Sequence, residues 1–492
     1  MDLRKDGMKL LGLVLFLCCS AATGNVVFKV QHKYEGRGKA TLSALRAHDA
    51  RRHGRNLVAV DFPLGGNDKV TEAALYYTKL AIGTPPKNYH VQVDTGSDIL
   101  WVNCGGCNKC PKESSLGIEL KTYDIKNSKT GKQITCDQEF CSLLYDGGYA
   151  NCSTGQPCEY AVTYADGSTA EGYFVADNIN LDQASGNLKT TPMTGIFSFG
   201  CSAKQSGTQG TSTDRVDGII GFGKANSSIL SQLAESGKVK RVFSHCLDGD
   251  NGGIFAIGEV IEPKFQSTGL VSYENHYSII MKKVEVGGEM MDIPTQSFFS
   301  TGRKTVIDSG ATLAYLPDDV YNLVIKKVMS NHSDLKIHIV DPDLSCFDYK
   351  GNVDEGFPNI TFHFKNSLSL KIYPHDYLLS IDDDGWCLGL HRGAMKTDDG
   401  EDQILLGDII LSNKLVVYDL ENMTLGWTSY DCKSSIKVKD EGSGNVFSIS
   451  AHNISPPTPT SSSSSAHRFF IGRKLLLTFF FFFFFFLSSL TM

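Results

Sequence analysis

Val91-Gln92-Val93-Asp94-Thr95-Gly96-Ser97 is nearly repeated further along the chain as Thr305-Val306-Ile307-Asp308-Ser309-Gly310-Ala311. Each copy has an apolar approach, an Asp, a small hydroxyl residue, a Gly and another small residue. The apolar approach reads as a buried strand. The Gly permits a tight turn with close backbone approach. Each Asp therefore ends a strand and is held by a turn. Two such carboxyl groups, close enough to share a proton, supply a base and an acid at one site. A lone Asp-Thr-Gly also occurs in ordinary surface turns. Here each copy has a further echo about a hundred residues later: Asp217-Gly218-Ile219-Ile220-Gly221-Phe222-Gly223, then Ile404-Leu405-Leu406-Gly407-Asp408. The pattern is an internal repeat at domain scale.

The 492 residues allow two or more domains with real cores. A net charge of −7 gives no reason to invoke nucleic acid. Arg4, Lys5 and Lys9, the apolar run Leu10–Cys19 and the small residues Ala22-Thr23-Gly24 read as a secretory signal over 1–24. Of the 14 cysteines, Cys18 and Cys19 fall in that signal. The other twelve are Cys104, Cys107, Cys110, Cys136, Cys141, Cys152, Cys158, Cys201, Cys246, Cys346, Cys387 and Cys432. An even number in a secreted chain predicts disulfides. Cys104-x-x-Cys107-x-x-Cys110 also has a zinc-like spacing, but no His lies near and secretion favours disulfides. Sequons at Asn151, Asn226, Asn331, Asn359, Asn422 and Asn453 are candidate glycosylation sites, with Asn359 and Asn422 in strand-like runs.

Residues 25–70 are taken as a basic propeptide, rich in Lys and Arg up to Arg55, whose cations would lie over an acidic cleft; a solvated amphipathic segment is the plainer reading. From Tyr76 onward short strand-like runs alternate with Gly, Asn and Asp breaks, and helical patterns are confined to Ser228–Glu235 and Asp318–Ser330. The expectation is a mainly β protein of two similar lobes, 71–250 and 251–433, divided in the turn-rich Asp248–Gly253. Residues 434–465 read as a polar Ser/Pro-rich stalk. Residues 466–492 carry an unbroken Phe479–Phe486, and no cytosolic domain is expected after it. Small residues, a polar spacer and a hydrophobic tail form a glycosylphosphatidylinositol attachment pattern, with Ser463, Ser464 or Ser465 as the attachment site. A plain tail anchor is the alternative.

On Asp94-Thr95-Gly96-Ser97, Leu100-Trp101-Val102, Tyr164-Ala165-Asp166-Gly167-Ser168, Asp217–Gly223, Asp308-Ser309-Gly310 and Leu405-Leu406-Gly407, the chain resembles the pepsin-like aspartic endopeptidases over Tyr76–Cys432. The cysteines crowded into 104–158 point to the plant nepenthesin-like, membrane-anchored branch. The resemblance implies a bilobal fold with a cleft between two β-rich lobes and one catalytic Asp from each, Asp94 and Asp308. It implies a water held between them: the ionised carboxylate takes its proton, and the protonated one polarises the peptide carbonyl and supplies a proton to the leaving nitrogen. No metal or cofactor is called for. Thr95 and Ser309 would tie the turns together, and Ser97 would support Asp94. Tyr164 and Gly167 match a substrate-covering flap, and Trp101 its support; a plain core role is the alternative for each aromatic. Polypeptides are the expected substrates of a monomer held at the outer plasma membrane by its lipid anchor. One departure stands out: the family's Ser or Thr after the second Gly is Ala311 here, which should raise the pair's apparent pKa values. A catalytically dead relative that binds proteins is the competing class. It commonly loses part of the Asp-hydroxyl-Gly pair, and both copies are intact here.

Overall fold

The computed structural model describes residues 57–69, 74–144, 152–207, 215–293, 302–340, 344–393, 395–396 and 400–454. The expected signal, the basic segment up to residue 56, Asn151, the Ser-rich run with Ser463, Ser464 and Ser465, and the Phe-rich tail lie outside the described residues. Among the described residues, no helix is long and apolar enough to cross a membrane.

The repeat in sequence is a repeat in topology. The strand Lys87–Asp94 delivers the first Asp and runs parallel to Gly218–Gly221, with Val93 opposite Ile220 and Asp94 opposite Gly221. The strand Arg303–Ile307 delivers the second and runs parallel to Asp402–Leu406, with Ile307 opposite Leu406. In each half the chain leaving the Asp turn comes back antiparallel beside the echo strand, at Trp101 opposite Ile219 and at Tyr315 opposite Leu405. The glycines of the echoes are steric requirements. A Cβ on Gly218 would overlap the Trp101 carbonyl, one on Gly221 the Asp98–Ile99 backbone, and one on Gly407 the Ala311 carbonyl.

The halves are joined through a shared sheet. Its strand order runs Gln266–Gly269, Thr424–Ser429, Lys414–Asp419, Val242–Leu247, Gly253–Ile257, Val60–Asp61, Thr169–Gly186 and on into the first half. The boundary expected at Asp248–Gly253 is thus the turn of a hairpin inside that sheet. Val242–Leu247 pairs on one side with its own hairpin partner and on the other with Lys414–Asp419. An aromatic cluster fills the space beside it: Phe243 stacks on Tyr418 at 4.4 Å, and Phe222 lies 4.4 Å from Phe255. Helices are few. Ile229–Glu235 is capped by the Ser228 hydroxyl, which accepts from the Ser231 N–H, and Asp318–Val328 buries Val320, Val324 and Val328.

Two domain boundaries move. Residue 70 is not the edge of the folded body, because Val60–Asp61 is inserted between Gly253–Ile257 and Thr169–Gly186 and buries Val60, Phe62 and Leu64 around it. The polar run after Cys432 is not stalk from residue 434. Ser435–Lys439 and Val446–Ser450 form a hairpin that continues onto Glu259–Glu262. Its alternation buries Ile436, Val438 and Ile449, while the intervening Ser and Lys face outward.

The twelve cysteines form six disulfides: Cys104–Cys201, Cys107–Cys110, Cys136–Cys152, Cys141–Cys158, Cys246–Cys432 and Cys346–Cys387. The sulfurs with zinc-like spacing, Cys104, Cys107 and Cys110, are all consumed in such bonds.

Candidate active site

The two Asp turns meet face to face. The Ser309 N–H donates to Thr95 Oγ1 at 2.9 Å, and the Thr95 hydroxyl donates to the Ile307 carbonyl at 3.4 Å. From the other side the Ser309 hydroxyl donates to the Val93 carbonyl at 3.4 Å. Each small hydroxyl residue therefore bonds backbone of the opposite half, which fixes one turn against the other. Within each turn the Gly N–H donates to its own Asp, Gly96 to Asp94 Oδ1 at 2.8 Å and Gly310 to Asp308 Oδ1 at 2.7 Å. A Cβ on Gly96 would overlap the Asp308 carboxyl group, and one on Gly310 that of Asp94. Glycine is required at both positions because the opposite carboxyl group occupies that space.

Asp94 and Asp308 are 5 % and 7 % exposed and share a hydrogen bond. Burial raises both above the usual carboxylate range, and the charge of Asp94 raises Asp308 further. The two differ in their donors. The Ser97 hydroxyl donates to Asp94 Oδ2, favouring its ionised form. Ala311, at the matching place, offers no hydroxyl, and the neighbouring Thr312 Oγ1 is turned away to the Ala74 carbonyl at 2.9 Å. The pair is thus built with the charge on Asp94 and the shared proton on Asp308.

Glu159–Thr163 pairs with the start of Thr169–Gly186 in a hairpin that carries Tyr164 in its turn. Its turn closes with the Gly167 N–H donating to the Tyr164 carbonyl at 2.9 Å. Gly167 has φ 76° and open space around it, so this tip residue is left-handed and free to meet a ligand. Trp101 Nε1 donates to the Tyr164 hydroxyl at 2.6 Å. Asp94 is close enough for its charge to add to the burial that raises the Tyr164 phenol. The structure therefore brings Tyr164, Trp101 and Asp94 together. Of the sequons, Asn226, Asn331, Asn422 and Asn453 are exposed, while Asn359 is half-buried.

One carboxyl group near the pair is missed by motif reading. Asp408 follows the second echo directly, is 1 % exposed, and its Oδ1 has no hydrogen-bond partner. Burial first, and the charges of Asp308, Asp68 and Asp94 after it, push Asp408 well above the usual range. Its position after Gly407 was the available signal; only the fold shows that it points toward other acids.

The family descriptions that match are the xylanase inhibitor N-terminal domain over residues 76–259 and the xylanase inhibitor C-terminal domain over 276–429. Aspartic proteinase 36 of Arabidopsis thaliana is 48% identical over 448 residues, covering 91% of this chain and 92% of that protein. Aspartic proteinase 39 of the same plant is 44% identical over 456 residues, covering 92% and 94%. Among solved structures, edgp superposes with a TM-score of 0.60 at 20% identity, covering 76% of this chain and 95% of its own. Basic 7S globulin from soybean superposes with a TM-score of 0.58 at 21% identity, covering 76% and 96%. The last two share the fold, whereas the relatives sharing nearly half the residues are aspartic proteinases. The chain belongs to the pepsin-like aspartic endopeptidases of plants.

Proposed function

We propose that Asp94 and Asp308 hydrolyse peptide bonds with a water placed between them. The observation that carries this reading is the hydrogen bond shared by two buried carboxyl groups, one from each half, on turns locked to each other. Asp94, the better supplied with donors, takes a proton from the water as its oxygen bonds to the carbonyl carbon. Asp308 gives its proton to the carbonyl oxygen. As the tetrahedral diol collapses and the C–N bond breaks, Asp94, and not the initially protonated group as the resemblance implied, passes its newly gained proton to the leaving nitrogen, because Asp308 has already given its own to the carbonyl oxygen; Asp308 regains one from a diol hydroxyl. Tyr164 and Gly167 cover the substrate and Trp101 holds Tyr164 in place. Asp94→Asn and Asp308→Asn should each abolish cleavage while leaving secretion near normal, because one amide removes a proton role that the partner cannot supply. Appreciable turnover by either purified variant sinks the reading.

The xylanase inhibitor family descriptions favour a second reading, a protein-binding relative without catalysis. Pepstatin-sensitive cleavage of a denatured protein at acid pH separates the two. For placement in the cell, the sequence supports tethering at the outer plasma membrane: an amino-terminal secretory pattern, a Ser/Pro-rich run and a hydrophobic tail after a lipid-attachment pattern. Phospholipase specific for that anchor should release the protein. A mature form that resists it and retains the Phe tract is tail-anchored instead.

A further inference from the structure

Two differences between the copies of the repeat meet in space. Two residues before the Asp stands Gln92 in the first copy and Val306 in the second; directly after the Gly stands Ser97 in the first and Ala311 in the second. Gln92 shares a face of the strand Lys87–Asp94 with Asp94, while the other face buries Tyr89, Val91 and Val93. From that face the Gln92 carboxamide reaches into the second half, where Nε2 donates to the Gly310 carbonyl at 3.3 Å. Gly310 is the residue joined to Ala311. Val306 is apolar and 0 % exposed, so the second half returns no such bond.

Gly310 sits between two anchored neighbours. Ser309 is fixed by Thr95 and Val93, and the Ala311 carbonyl accepts the Asp408 N–H at 2.8 Å. Gly310 itself has no side chain, so its torsions are the least restricted in the turn. Its N–H makes the 2.7 Å bond that this turn supplies to Asp308, because Ala311 adds no hydroxyl. Asp94 has the Ser97 hydroxyl in addition to the Gly96 N–H. The second carboxyl group therefore depends on Gly310 more than the first depends on Gly96. Gripping the Gly310 carbonyl as well as its N–H fixes the residue from both ends.

We infer that Gln92 is a positioning residue for peptide hydrolysis, pinning Gly310 from the opposite half so that its N–H stays aimed at the Asp308 carboxyl group. A carboxamide carries no charge at any pH in the acid range, so the grip does not titrate away. The titratable groups around the contact are Asp94 and His90 on the same strand face, and Tyr77 opposite Gln92 on the neighbouring strand Leu75–Ile82; Asp408 and Tyr418 face Asp308. Replacing Gln92 leaves all of them in place. Thr95 and Ser309 still hold the turns at their spacing, so the coupling of the two carboxyl groups stays. What weakens is the hydrogen bond to ionised Asp308. A donor to the ionised form favours ionisation, so its weakening should raise the second ionisation of the pair, which belongs to Asp308.

This inference rests on the paired-carboxylate reading, which Asp94→Asn tests separately. The experiment is a pH profile of kcat and KM on one peptide, per active site titrated with a tight-binding inhibitor. Gln92→Met keeps the length of the side chain and removes the donor. It should lower kcat about threefold to tenfold, the range of one ordinary hydrogen bond, with KM within about twofold. The alkaline limb of kcat/KM should rise by about half a unit to one unit, part of what a donor to a charged carboxyl group is worth, while the acid limb, set by Asp94, stays in place. Gln92→Asn keeps the carboxamide but is one methylene too short. It should act in the same direction, which separates the lost bond from a change in polarity and keeps the question open to experiment if Gln92→Met folds poorly. Gln92→Glu can donate while its carboxyl group is neutral, so it should regain most of the kcat at pH 3 and lose it at pH 6. Parent kcat with an unmoved alkaline limb in Gln92→Met or Gln92→Asn overturns the inference. So do two limbs that rise equally, and a Gln92→Glu enzyme no better than Gln92→Met at pH 3. Activity retained in Asp94→Asn would overturn the catalytic reading instead.

Discussion

Ala311→Ser would give the second turn the hydroxyl that Ser97 gives the first, and the structure says which limb of the pH profile should move. A hydrogen bond to a charged group is worth about 1.5–3 kcal/mol, and a pKa unit corresponds to about 1.4 kcal/mol. A new donor on an ionised Asp308 could therefore lower its own ionisation by about one to two units. The acid limb will not show that full shift. The first proton leaves Asp94, where Ser97 and Gly96 already stabilise the charge. Making Asp308 an equally good place for that charge at most doubles the number of favourable singly ionised forms, a fall of about 0.3 unit. The second ionisation must come from Asp308 itself, so the alkaline limb should fall by about one to two units. From sequence alone the missing hydroxyl is expected to raise both apparent pKa values of the pair. The uneven supply of donors places most of the effect on the alkaline limb. The assay is kcat/KM on one fluorogenic peptide from pH 2 to 8, corrected for titrated sites. An acid limb that drops by a full unit while the alkaline limb stays fixed would show that the charge resides on Asp308, and would refute the assignment.

Gly310→Ala places a Cβ on the Asp94 carboxyl group and should reduce kcat about a hundredfold or more with secretion retained, because displacements near 1 Å at a reacting group cost that much; a kcat within tenfold of the parent would contradict it. Ending the chain after Lys433 removes the buried Ile436, Val438 and Ile449, each worth about 1.5–3 kcal/mol at most, and should lower the urea midpoint clearly. An unchanged midpoint would mean that the hairpin contributes nothing. His452 Nε2 lies 2.8 Å from Asp61, and that partner raises the imidazole pKa. Stabilisation from a raised His pKa is complete below the unfolded value near 6.5 and is lost as pH climbs through the folded value. His452→Gln should therefore lower the melting temperature at pH 5 and have little effect at pH 9; equal losses at both would point to packing.

The parts of the site set by short-range sterics were legible in the sequence. The Asp-hydroxyl-Gly turns and their Gly echoes are dictated by chains that cross within contact distance, so residue type reports geometry. The hairpin around Tyr164 could be read because its turn needs Gly167 and its tyrosine stands at a fixed place before it. What the sequence concealed depends on distant neighbours. Val60–Asp61 is a sheet strand only because Gly253–Ile257 and Thr169–Gly186 flank it. Ser435–Lys439 looks like stalk because its Lys and Ser outnumber its apolar residues, although Ile436 and Val438 alternate as in a half-buried strand. Disulfide partners follow from which loops meet in space, which spacing alone does not give. Asp408 is marked in the sequence only by its place after Gly407, since its surroundings are set by what the folded chain lays against it.

The shared sheet also imposes an order on biosynthesis. Cys246 and its partner Cys432 are separated by 186 residues. At a synthesis rate of about 5–20 residues per second, roughly 10–40 s pass between their emergence. Through that interval Val242–Leu247 lacks its neighbour Lys414–Asp419, and the Cys246 thiol is exposed to any earlier cysteine. Until then the first half lacks a neighbouring strand of the sheet it shares. Its apolar edge must be shielded and its thiol kept from wrong partners until the last quarter of the chain arrives, so yield in a secretory compartment should depend on disulfide isomerase and chaperone capacity more than on the stability of the finished protein.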